Sequence, residues 1–141
     1  MAEVNEVEEV KEVKEKAARL GPVKRYSDLL VYQQAYRLAL ATSKLSKLLP
    51  RDEQFELGRQ VRRSARSVAA NIVEGWTKRN SAADFKRQLM IAAGENAETE
   101  FWLELAADEE ILPRNKAESL VLEYSKLGFM IHKLWKEWRK I

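Results

Sequence analysis

Four arginines at positions 59, 62, 63 and 66 are the residues whose type and spacing point most directly to a chemistry. On a helix they gather on one side. A guanidinium fork pairs two phosphate oxygens at once, so the row suits contact with a polyanion. Lys78, Arg79, Lys86 and Arg87 follow, and residues 57–90 carry eight basic side chains against Glu74 and Asp84, a local charge of +6. Two other readings of the arginines stay open. Some can pair with Glu95, Glu98 or Glu74, with Arg62–Glu98 the foremost such pair, and Arg59 and Arg66 can simply be solvated.

Asn71 and Glu74 place an amide and a carboxylate about one turn apart on an otherwise apolar helix. Such a pair can hold a proton or a metal. Near a helix end, however, it more commonly satisfies free backbone groups or fixes register, and that structural role is the one expected here. Little else offers catalysis. A di-iron bundle needs Glu-x-x-His on two helices, whereas the one histidine, His132, has Phe129 three residues before it. A lone histidine leaves no nucleophile–base–orienter set, and five scattered glycines make no phosphate loop. With no cysteine there is no disulfide, thiolate chemistry or cysteine-held metal. No enzymatic activity, cofactor or metal is expected. Trp135 and Trp138 have rings able to stack on bases, but their spacing assigns them to a buried stripe.

These residues need helices to position them. The chain has 141 residues, 45% apolar and 33% charged, which suits one soluble domain. Its net charge of +3 is uneven: residues 1–20 hold six Glu against four Lys and Arg, and the remainder carries +5. No apolar run approaches the ~18 residues of a membrane span, and the acidic start lacks a leader's apolar core. A cytoplasmic location, away from membranes, is therefore expected.

Leu57, Val61, Ala65, Val68 and Ile72 recur at helical spacing opposite the arginines, with Gly75 read as a left-handed stop. Ser27 is expected to cap a first helix from Asp28 to Leu49, closed by Pro50, with Tyr32, Ala35, Tyr36, Ala39 and Ser43 on one face. Asp52 is expected to cap the second helix. Ser81 to Asp84 reads as a capping box opening a third, whose core stripe is Phe85, Leu89, Ala92, Asn96, Thr99 and Leu103. Pro113 and an Asn115 cap introduce a fourth, with Ala117, Leu120, Tyr124, Leu127, Ile131, Trp135 and Trp138 inward. The predicted fold is an all-α, antiparallel up-down-up-down four-helix bundle over 23–141. Residues 1–22 form an acidic extension and linker, helical or disordered.

The run from Tyr26 to Ala35 (Tyr-Ser-Asp-Leu-Leu-Val-Tyr-Gln-Gln-Ala), Gln60 to Ala65, and Ser67 to Gly75 (Ser-Val-Ala-Ala-Asn-Ile-Val-Glu-Gly) together resemble a known signature. It is that of the four-helix-bundle proteins encoded in intervening sequences of bacterial 23S ribosomal RNA genes. These are similar in fold to the accessory variability proteins of diversity-generating retroelements. Tyr32 stands where Trp is usual, and Glu95 where a small Ser is usual.

The resemblance implies a non-catalytic ring-shaped homo-oligomer, typically a pentamer. The expected interface uses helices two and three and a mixed stripe of Ile91, Glu95, Glu98, Trp102 and Leu105. The retroelement relatives bind a reverse transcriptase and its RNA, so RNA is the more expected nucleic acid, with a reverse transcriptase or other protein as a further partner. Two functions compete: a nucleic-acid-binding scaffold using the eight basic residues, and a protein–protein adaptor whose arginines form intersubunit salt bridges.

Overall fold

In a computed structural model, which describes residues 23–138, four α-helices follow one another: α1 Leu30–Ser46, α2 Leu57–Thr77, α3 Ala82–Asp108 and α4 Arg114–Glu137. The acidic stretch 1–22 and residues 139–141, with Arg139 and Lys140, lie outside the described residues. Single 3-10 turns, Tyr26–Asp28 and Arg51–Glu53, precede α1 and α2, and no strand occurs among the described residues. Ser64 meets Thr99 while Gly75 abuts Gln88, so α2 and α3 run in opposite directions. Arg114 reaches Asp108 while Trp138 packs on Phe85, so α3 and α4 do too. α1 packs against α2 and α4.

The core follows the spacing of the apolar residues. Leu57, Val61, Ala65, Val68 and Ile72 of α2 are buried, as is the entire predicted stripe of α3 from Phe85 to Leu103. Each large aliphatic or aromatic side chain removed from water contributes about 1.5–3 kcal/mol. Ser81 Oγ accepts the Asp84 amide at 3.3 Å, so the predicted start of α3 holds. Polar groups inside this core are mostly engaged. The Thr99 hydroxyl lies 2.8 Å from Ser64 Oγ, and Asn96 Nδ2 donates to the Tyr124 carbonyl at 2.8 Å.

Several helix ends differ from expectation. Ser27 caps nothing, because Asp28 reaches backwards: its carboxylate accepts the Arg25 and Lys24 amides, each at 3.0 Å, and these hold its pKa below the usual value. α1 stops at Ser46, ahead of Pro50, since Gln54 Nε2 donates to the Ser46 and Leu49 carbonyls at 2.9 Å. Asp52 lies inside a 3-10 turn and Asn115 inside α4, so neither is a cap. Nor does Gly75 end α2, which continues to Thr77. The buried face of α1 is Val31, Ala35, Leu38, Thr42 and Leu45, leaving Tyr36 exposed. The reason is the tyrosine hydroxyl, which needs a partner inside. Tyr26, Tyr32 and Tyr36 instead stack along the edge, with ring centres 5.0 and 5.9 Å apart.

Tyr124 of α4 does go inside, its hydroxyl 2.7 Å from Thr42 Oγ1. Burial pushes its pKa up to about 12, although the Thr42 bond acts the other way. A folded-state pKa above the unfolded value of ~10 means that the neutral phenol favours folding below that pH, and this contribution is lost as pH climbs towards 12. Unfolding in urea across about pH 10–12 is expected to show a loss of about 2–3 kcal/mol that Tyr124→Phe lacks. Equal slopes in the two proteins would contradict this burial. At neutral pH the variant is expected to lose about 1 kcal/mol, from the orphaned Thr42 hydroxyl.

Candidate nucleic-acid interface

The arginine row divides when its side chains are followed individually. Arg59 and Arg66 are exposed on α2, with no ion pair or hydrogen bond among the described residues. Arg62 turns the other way and closes the connection between α1 and α2. It donates to the Gln54 carbonyl at 2.8 Å, Ser46 Oγ at 3.1 Å and Gln54 Oε1 at 3.4 Å. Gly58 makes this possible, because a Cβ there would come within 2.8 Å of Arg62 Nη1. The expected Arg62–Glu98 pair is therefore absent.

Arg63 takes that partner instead, reaching Glu98 Oε2 at 2.9 Å and Glu95 Oε2 at 3.1 Å. The bond to Glu98, then the one to Glu95, raises the Arg63 pKa. Burial works to raise the Glu98 pKa, but the Trp102 indole N–H at 3.2 Å and Arg63 outweigh it and hold the carboxylate below its usual value. Half-exposed as Arg63 is, this fork aligns α2 with α3 more than it stabilises either.

The second basic group lies at one end of the bundle. Lys78 reaches Glu74 at 3.5 Å. Arg79 donates to the Trp76 carbonyl at 3.0 Å, with its guanidinium 4.3 Å from the Trp76 ring centre. Lys86 sits 5.3 Å from the ring centre of Trp135, and Arg87 is exposed and unpaired. Trp135, assigned to the core from its spacing, is on the surface. The chain leaves the helix at Trp138 (φ −67°, ψ 120°), and that indole takes the last inner position against Phe85 and Trp76.

Asn71, Glu74 and Gly75 form no chemical site. Asn71 Nδ2 donates to the Ser67 carbonyl at 2.8 Å inside α2, and Glu74 is exposed beside Lys78. Gly75 packs directly against α3: an added Cβ would meet Gln88 Cβ at 2.9 Å. Among the described residues no three His, Cys, Asp or Glu side chains gather to hold a metal, and His132 is exposed. A shallow hollow of about 240 Å³ lies between α3 and α4. Its arginine, Arg114, is engaged by Asp108 at 3.1 Å and Glu118 at 3.3 Å. No helix of the described residues is long and apolar enough to cross a membrane.

Two members of the expected assembly stripe are half-buried and engaged within the subunit: Glu95 by Arg63 of α2, and Trp102 by Glu98 one turn before it on α3. Ile91, 43% exposed, and Phe101, 53% exposed, face outwards, and a Cβ on Gly94 between them would meet nothing within 4 Å. Leu105 is partly covered. The spacing 91-94-98-101-105 carried this signal, but Gly94 breaks its apolar character.

Residues 27–133 match the sequence profile of the family described as 23S rRNA-intervening sequence protein. The fold also matches the crystal structure of a protein of unknown function from the S23 ribosomal protein family of Bacteroides thetaiotaomicron. Identity is 31% and the TM-score 0.70, over 76% of this chain and 99% of that one. No curated protein matches the chain significantly.

Proposed function

The chain belongs to the 23S rRNA-intervening sequence protein family, and from that premise we propose that it is a non-catalytic, homo-oligomeric scaffold that binds RNA. One observation carries the reading: Arg59 and Arg66 stay on the same exposed face of α2 without a carboxylate, while Arg62 and Arg63 beside them are engaged within the subunit. Unpaired guanidiniums seven residues apart, about 10 Å along a helix, leave room for each to meet a phosphate of the same strand. Lys78, Lys86 and Arg87 extend the field at one end. Self-association through Ile91, Gly94 and Phe101 repeats the row around the assembly, a pentamer in the ring the family resemblance implies.

Contacts of this kind read backbone charge and not base sequence. A cytoplasmic ribonucleoprotein is the setting they fit, with a reverse transcriptase or another protein as companion. Only fold-level analogy supports the reverse transcriptase. The Arg63 fork favours a second reading, an adaptor whose remaining arginines pair between subunits and bind no nucleic acid. Titrating RNA binding against salt separates the two. The scaffold gives log K falling linearly with log salt, with a slope of about −0.7 for each single-strand phosphate contacted. The adaptor gives no measurable binding near physiological salt.

A further inference from the structure

The bundle end where α2 finishes, α3 starts and α4 finishes carries a surface that neither the α2 arginines nor the α3 stripe uses. Trp138 ties the three ends together, its ring centre 4.5 Å from that of Phe85 and 6.5 Å from that of Trp76. Those three rings are covered. Trp135, one turn earlier, is left outside and 38% exposed. Lys86 lies 5.3 Å from its ring centre, so part of the indole carries a cation and the rest is open.

Basic side chains outnumber acidic ones at this end, where the exposed carboxylates are Glu74, Asp84 and Glu137. Arg79 and Lys78 have structural work, the first on Trp76 and the second beside Glu74. Among the described residues, Arg87 of α3 and Lys133 and Lys136 of α4 are exposed and have no carboxylate partner. Neither has Lys86, whose contact is the ring alone. The C-terminal dipoles of α2 and α4 account for some attraction of cations to this end. They do not account for an aromatic side chain left among them. A membrane surface is a poor match, since among the described residues no exposed large aliphatic side chain lies within a turn of Trp135 on α4.

We propose that this end is a stacking platform for single-stranded nucleic acid, with one base on Trp135 and a flanking phosphate at Lys86, while Arg87 and Lys136, next to those two residues in the chain, add to the positive field. Every base has a π-face, so an indole with a cation beside it holds a strand without reading its sequence. A duplex keeps its bases inside the stack and offers the indole nothing. The proposal rests on the RNA-binding reading above and adds which form of RNA binds and where.

The test is fluorescence anisotropy of the full chain with a labelled oligoadenylate of about 12 nucleotides, beside a duplex of equal length. Trp135→Ala is expected to weaken single-strand binding about 5- to 100-fold. Duplex binding and the salt slope should not change, because no charge is removed. Trp135→Phe should keep most of the affinity. Trp135→Leu retains apolar bulk against α3 but has no π-face, so it should behave like the alanine variant even if alanine disturbs packing. Lys86→Glu should flatten the salt slope.

Single-strand affinity unchanged in both Trp135→Ala and Trp135→Leu, yet lost on Arg59→Glu with Arg66→Glu, overturns the platform and leaves the scaffold standing. Affinity that depends on Trp135 and ignores the two arginines keeps the platform and removes the α2 row. Displacement of RNA by polyglutamate, equal in wild type and Trp135→Ala, would mark an acidic-peptide site and overturn the platform. Wild-type protein that binds no RNA overturns both.

Discussion

Gly75→Val is expected to lower the unfolding free energy by about 3 kcal/mol, against at most a few tenths for an ordinary surface change. A Cβ at this position would sit 2.9 Å from Gln88 Cβ and 3.4 Å from Phe85 Cδ2. Neither atom is the far end of a flexible side chain. Gln88 Cβ is fixed to the α3 backbone, and Phe85 is fully buried beneath Trp138. The helices must therefore move apart, which disturbs a tightly packed part of the core. Gly75→Ala meets the same obstacle with less bulk. Its gain in helix propensity, about 1 kcal/mol, offsets part of an overpacking cost of about 1–3 kcal/mol. Gly94→Ala provides the control, since its Cβ meets nothing and only the propensity gain remains. Urea unfolding of all three at one protein concentration checks the ranking, because the proposed assembly would make apparent stability depend on concentration. Gly75→Ala matching Gly94→Ala would contradict the close crossing.

Reversing Arg59 and Arg66 together to glutamate is expected to reduce RNA affinity on the order of 100-fold at moderate salt, and to flatten the salt slope. The two side chains have no internal duty, so melting temperature and molar mass should stay at wild-type values. Arg62→Ala should do the opposite. Losing its bonds to Gln54 and Ser46 at a half-buried position costs about 1–3 kcal/mol of stability and leaves the RNA salt slope as it was. The pair separates arginines that meet solvent from the one that holds a loop. A double reversal that binds RNA like wild type would remove these two residues from the interface.

Much of this fold was legible in the sequence. α2, α3 and α4 are long enough for a 3–4 spacing to define a face, and Val61, Leu89 and Tyr124 are buried where that spacing puts them. Apart from the Ser81 start of α3, most helix ends were not legible, because their partners lie elsewhere in the chain. Gln54 terminates α1 from eight residues beyond Ser46, and Asp28 serves amides behind it. The face of α1 was read about a quarter-turn off, with Ala35 buried as expected but Tyr36 exposed, because its tyrosines look like core residues until the fate of their hydroxyls is asked. Trp135 continues an apolar stripe past the point where neighbouring helices still cover it.

The candidate interface was legible as a charge excess but not in its detail. Arg62 and Arg63 are adjacent, about 100° apart on the helix, and composition does not say which faces α3. Gly58, four residues before Arg62 on the same face, was the clue, since only a missing side chain leaves room for that guanidinium to fold inwards. The same holds for assembly. Gly94 reads as a break in a stripe, whereas with open space above it the glycine marks where a second surface can come close.

Light scattering of the full chain, with and without single-stranded RNA, tests the scaffold most directly. A homo-oligomer gives a molar mass that is a small multiple of 16.3 kDa, increasing by the mass of bound RNA when RNA is added. A single species at 16.3 kDa that RNA leaves unchanged would contradict both the assembly and its ligand.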